Sequence, residues 1–122
     1  DIVIKDGKEA VSVEKFTENL QRAVDFAKEV TDKVFLISII PVSSSADGTV
    51  TSTGKLRTNE RVRLFNSALS SAAGKNEAEF INIYDEFYSE KERFLSRDGL
   101  HPNEQGYSFI ADKIRPIIEK YL

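Results

Sequence analysis

The sequence predicts an α/β fold built on a parallel sheet, and three observations predict it. The run Val34-Phe35-Leu36-Ile37-Ser38-Ile39-Ile40 is almost continuously apolar and β-rich, the pattern of a strand buried on both faces. A second run, Phe80-Ile81-Asn82-Ile83-Tyr84, reads the same way. Around and between them lie three stretches with apolar residues at helical spacing. The order is α-β-α-β-α, and a strand–helix–strand unit of this kind implies parallel strands joined by a right-handed crossover.

Each element follows from local chemistry. Residues 1–11 read as irregular lead-in, with Asp6-Gly7 as a turn. Ser12 can cap a helix through Val30, whose apolar face is Phe16, Leu20, Ala23, Ala27 and Val30. Pro41 ends the first strand, and the Ser-, Thr- and Gly-rich residues 42–57 form a long loop at its carboxyl end. Thr58 or Asn59 caps the second helix, Val62, Phe65, Leu69 and Ala72 form its stripe, and Gly74 suits the position just past its end. Residues 85–100 make another long segment. A last helix spans about Asn103 to Tyr121, with Tyr107, Ile110, Ile114, Ile117 and Tyr121 on one face and Pro116 placed to bend it or loosen a turn.

Composition narrows the classes of function. The chain has 122 residues, 40% hydrophobic and 30% charged, enough for one domain with a modest core. A net charge of −3 leaves no basic surplus for neutralising phosphates, so no nucleic-acid partner is expected. No apolar run is long enough for a membrane span. The opening residues Asp1–Asp6 do not read as a signal peptide, although a longer precursor stays open. Without cysteine the compartment is also open, cytoplasm being the default. One histidine and no cysteine argue against zinc or copper, and no cofactor is expected.

In parallel sheets, sites form beyond the carboxyl ends of the strands, where both long loops lie. The single histidine lies there too, in Asp98-Gly99-Leu100-His101-Pro102-Asn103-Glu104-Gln105-Gly106-Tyr107. Asp98 and His101, three apart across a turn, can bond locally. A carboxylate on one imidazole nitrogen fixes the tautomer and stabilises the imidazolium, making the ring a general base for a hydroxyl nucleophile. Pro102 fits the first position of the last helix and holds His101 out of helical geometry. The plain alternative is an Asp-Gly turn followed by a helix start, with no catalysis.

This segment resembles the last block of the SGNH/GDSL hydrolases, an Asp-x-x-His pair followed by Pro-Asn-x-x-Gly-Tyr. The order of elements along all 122 residues is similar too. The resemblance implies a flavodoxin-like three-layer parallel sheet, the SGNH hydrolase fold, incomplete in this chain. It also implies hydrolysis of a small-molecule ester or acylated substrate, with His101 as base and Asp98 as its orienting carboxylate. No Gly-Asp-Ser block and no glycine or asparagine oxyanion block is present. The chain therefore reads as the carboxyl-terminal part of one such domain, inactive alone, its partner the amino-terminal segment that carries the serine. Asp1 fits the residue that closes the family's third block. Two strands are also too few for three amphipathic helices.

Other features have plainer readings. Ser43, Ser44, Ser45 and Ser52 lack a nucleophile elbow and better suit the substrate entrance. Asp85 reads as a cap for a short helical turn. Phe87, Tyr88, Phe94 and Leu95 could line an acyl pocket or simply pack beneath a loop. The run Ser89-Glu90-Lys91-Glu92-Arg93 reads as a solvated turn. Arg57, Arg61 and Arg63 could bind an anion, Arg57 alone being on the loop side. The competing class is a non-catalytic binding module that keeps the fold; a phosphate-binding domain fits less well, for want of a Gly-rich loop between strand and helix.

Overall fold

The computed structural model describes residues 2–122; Asp1, and the reading attached to it, lie outside the described residues. Ten short elements follow one another: β1 (Ile4–Lys5), β2 (Lys8–Glu9), α1 (Val13–Lys28), β3 (Phe35–Ile37), β4 (Lys55–Leu56), α2 (Asn59–Lys75), β5 (Glu79–Ile81), α3 (Tyr84–Ser89), α4 (Lys91–Phe94) and α5 (Glu104–Glu119).

The expected parallel pair is present. β3 and β5 align as Phe35↔Glu79, Leu36↔Phe80 and Ile37↔Ile81, with α2 as the crossover between them. α2 packs on both strands and on α1. Both strands are shorter than their apolar runs. After Ser38, whose N–H reaches the Ile81 carbonyl at 3.0 Å, the chain leaves the ladder. Side-chain amides of α2 take over: Asn66 pairs with the N–H and C=O of Ile39 at 2.7 and 3.0 Å. Asn59 does the same for Val42 at 2.9 and 3.0 Å. A strand pattern thus continues into backbone held by two asparagines, a pairing invisible in local sequence. The expectation of burial on both faces is also corrected, since Ile37 is 38% exposed and β3 pairs with β5 alone among the described residues.

The lead-in is structured. β1 and β2 form a two-residue hairpin over Asp6-Gly7, and β1 pairs on its other side with β4, giving the order β2-β1-β4. The partner of β1 lies some fifty residues on, inside the segment read as loop, so neither strand carries a local signal. Arg61 ties this small sheet to α2. Its guanidinium donates to the carbonyls of Ile2 (2.6 Å) and Val11 (3.0 Å), pairs with Glu9 at 2.6 Å, and lies over the Phe65 ring.

The helices follow their caps. Ser12 Oγ accepts from Lys15 N, Thr58 Oγ1 from Arg61 N and Asn103 Oδ1 from Gly106 N. The buried face of α1 runs through Phe16, Leu20, Val24 and Ala27, so the stripe is turned toward Val24, while Ala23 and Val30 are exposed. α2 buries Val62, Phe65, Leu69 and Ala72 as expected. It runs past Gly74, and the left-handed residue at its end is Glu77 (φ 53°), where Ala78 N reaches the Ala73 carbonyl at 3.0 Å. α5 continues through Pro116, and Pro102 precedes the Asn103 cap rather than opening the helix.

The second long segment folds into α3 and α4. Asn82, not Asp85, serves the α3 start, its Oδ1 accepting from Tyr84 N at 3.1 Å while its amide donates to Asp85. Phe87, Phe94 and Leu95 are buried together against Ile40, Phe109 and Ile110, the packing alternative for these residues, and Tyr88 stacks on Tyr84. This cluster holds α3, α4 and the start of α5 as one body beneath the last block.

Candidate active site

Residues 95–103 form a tight loop between α4 and α5, closed at its neck by the Leu95↔Pro102 bridge and by Asn103 N on the Phe94 carbonyl at 2.8 Å. The Asn103 amide also donates to the carbonyls of Arg93 (2.7 Å) and Leu95 (3.2 Å). The cap of α5 therefore also fixes the loop that presents the histidine.

Within that loop the carboxylate is the hub. Asp98 Oδ1 accepts from Leu100 N (2.8 Å), His101 N (3.0 Å) and Ser96 Oγ (2.8 Å). Oδ2 meets His101 Nδ1 at 2.5 Å. These donors hold the Asp98 carboxyl well below the usual carboxylate range, the His101 backbone N–H first, then the imidazole, with Leu100 N–H and Ser96 adding to them. Asp98 is thus an anion at any ordinary pH, and an anion at Nδ1 keeps the proton there. In the neutral ring that tautomer puts the lone pair on Nε2. The His101 side chain is 72% exposed, so that lone pair is accessible.

The Ser-rich loop seats this turn. Ser43 N donates to the Gly99 carbonyl at 2.9 Å, and a Cβ on Gly99 (φ +71°) would stand 2.2 Å from Ser43 Oγ. The loop is itself anchored by Asn59 on Val42, by Asp47 accepting from Asn59 N at 3.0 Å, and by Glu92 accepting from Ser44 N at 2.7 Å. Glu92 thereby has a task that the solvated-turn reading missed. α2, α4 and the loop converge on Gly99 and so on the Asp98–His101 pair.

None of Ser43, Ser44, Ser45 or Ser52 bonds the His101 ring, whose hydrogen-bond partner among the described residues is Asp98. Ser43 is 4% exposed, its hydroxyl engaged by Ser45 Oγ and Ala46 N. Of the three arginines, Arg61 is taken up as described and Arg63 donates to Tyr84 Oη at 3.2 Å, leaving Arg57. Ser96 was missed; a serine two residues before the Asp of an Asp-Gly turn was its signal. Among the described residues no group of three His, Cys, Asp or Glu side chains could hold a metal, and no helix is long and apolar enough to cross a membrane.

Fold and last block together define an α/β protein that presents an Asp–His pair on a tight turn before its last helix. Residues 4–109 match the model of the GDSL-like lipase/acylhydrolase family, and the chain belongs to that family. It is 29% identical over 117 residues to a GDSL lipase of Mycobacterium tuberculosis, covering 95% of this chain and 46% of that protein. Its fold matches a lipase/acylhydrolase from Enterococcus faecalis with a TM-score of 0.76 at 22% identity, over 93% of this chain and 55% of that one. It also matches a GDSL-like lipase from Bacteroides thetaiotaomicron (TM-score 0.69, 21% identity, 96% and 57%). A third match is the esterase domain of a zebrafish retrotransposon protein (TM-score 0.65, 22% identity, 88% and 58%). The SGNH-type fold expected from the sequence is the observed one, and this chain makes part of it. The chain spans about half the length of the relatives it matches.

Proposed function

We propose that this chain supplies the base and orienting carboxylate of a Ser-His-Asp hydrolase acting on a small-molecule ester or acylated substrate. His101 takes the serine proton at Nε2 as the hydroxyl attacks the acyl carbon and returns it to the leaving alcohol; it then takes a proton from the water that cleaves the acyl-serine and returns it to the serine oxygen as the acid leaves. Asp98 holds the tautomer and stabilises the imidazolium formed between these steps. The serine and the oxyanion donors come from an amino-terminal segment outside these 122 residues. The 122 residues alone hydrolyse no ester above background, because a base without nucleophile or oxyanion hole loses most of its effect.

The observation that carries this reading is the asymmetry of the pair. A turn that needed only an Asx cap would use Asp98 Oδ1, and that oxygen already has three donors. Oδ2 is turned to Nδ1 of an exposed ring, a contact that does little for the fold and much for a base. The test is hydrolysis of a short-chain aryl ester by the chain supplied with the serine-bearing segment, compared with His101→Ala. A fall in kcat of about 10²–10⁴-fold is expected. Unchanged turnover in the variant would overturn the role of His101.

A further inference from the structure

Beside the pair, a cavity of about 190 Å³ opens between the Ser-rich loop and the last block. Ser45, Thr49, Thr51, Arg57, Asp98 and Leu100 line it. Its charged groups are unlike one another. Asp98 is an anion whose oxygens are already taken by four hydrogen bonds, none of them from Arg57. Arg57 is half-buried, yet among the described residues its guanidinium has no hydrogen bond and no ion pair. The nearby Asp47 makes no ion pair with it, its carboxylate being turned to Asn59 N and Nδ2. The backbone of Arg57 is locked, its carbonyl accepting from Gly48 N at 2.9 Å and its strand bridging Asp47. A guanidinium on a fixed root, with no hydrogen bond or ion pair of its own, has its donors free for an anionic ligand. Its planar fork matches a carboxylate with two parallel N–H···O bonds.

We propose that this cavity is a subsite for a carboxylate carried by the acyl part of the substrate, with Arg57 as the residue that binds it. The preferred substrates are then half-esters of short dicarboxylic acids. Leu100 faces their methylenes and the loop hydroxyls flank the anion, while the ester carbon reaches the pair at the cavity's edge. The proposal rests on the hydrolase reading above and adds the charge of the substrate to it.

With the serine-bearing segment supplied, the test compares 4-nitrophenyl hydrogen glutarate with 4-nitrophenyl pentanoate, chains of equal length that differ in one charge. The protein should favour the glutarate about ten- to a hundredfold in kcat/KM, the gain expected of a charge-assisted pair, and mainly through KM. Arg57→Gln should remove that preference, and Arg57→Lys should keep part of it. Equal rates for the two esters, or a preference that survives Arg57→Gln, would overturn the subsite. A second readout does not need turnover: monomethyl glutarate titrated into the protein should shift the Arg57 Nε–H resonance. If neither ester is hydrolysed but that shift appears, the hydrolase reading fails and the subsite stands. If the resonance does not move, the subsite falls whatever the hydrolysis result.

Discussion

Replacing Gly99 by alanine puts a methyl group where Ser43 Oγ lies 2.2 Å away, with Ser43 Cβ at 3.1 Å and Ala46 Cβ at 3.2 Å. Two costs add. At φ +71° an L-residue other than glycine loses about 1–2 kcal/mol. The contact is then relieved either by moving the loop, an overpacking cost of about 1–3 kcal/mol, or by rotating the Ser43 hydroxyl. Rotation abandons its bonds to Ser45 and Ala46, at about 0.5–1.5 kcal/mol each. Gly99→Ala should therefore destabilise the protein by about 2–5 kcal/mol. In a Ser43→Ala background the 2.2 Å contact is gone while the backbone term and the two carbon contacts remain. There the same change should cost about 1–2 kcal/mol less, a coupling of the size found between touching residues. Urea unfolding followed by far-UV circular dichroism gives all four stabilities from midpoint and slope. A Gly99→Ala cost under about 0.5 kcal/mol, or an identical cost in both backgrounds, would refute the seating of the loop on this turn.

Two more outcomes follow from the same network. The Asp98 carboxyl is held low in the folded protein, so its contribution to stability is full above the unfolded value near ~3.9 and is lost as pH falls through the lower folded value. Its ¹³Cγ resonance should accordingly stay that of a carboxylate through the range in which ordinary aspartates protonate. His101→Ala should raise the midpoint only in part, because the His101 backbone N–H is the largest cause; an Asp98 midpoint at the ordinary value in the wild-type protein would contradict the hub. Asn59→Ala leaves the buried N–H and C=O of Val42 without partners, at about 1–3 kcal/mol for each group. It should lower stability by about 2–6 kcal/mol in the same urea assay, and a loss below about 1 kcal/mol would mean that Val42 is satisfied in another way.

Much of the fold was legible because its signals are local. Ser12, Thr58 and Asn103 each cap the helix that follows, and the α2 stripe is buried as spaced. The parallel pair was readable from two apolar runs around one helix. What failed locally failed for stated reasons. The α1 stripe was read through Ala23, and the packing against α2 turned it to Val24. The helix end was assigned to a glycine, whereas Glu77 takes the left-handed position.

The Asp98–His101 contact lies between these cases. Three residues of separation and an intervening Gly99 suffice to bring carboxylate and ring together, since the turn closes within the chain's own reach. Spacing could not tell that Ser96 and two backbone N–H groups would also converge on Asp98, nor that Gly99 would be a seat for Ser43. The β1–β4 ladder, the asparagine clamps on Ile39 and Val42, the spent state of Arg61 and the unpaired state of Arg57 were beyond it as well. The contacts among these join residues about twenty to sixty positions apart, and no short window of sequence contains both partners. Caps, turns and stripes are short-range chemistry that the order of residues specifies directly. Which polar groups find each other across the core is settled by packing, when the few arrangements that leave no buried donor or acceptor unmet are selected.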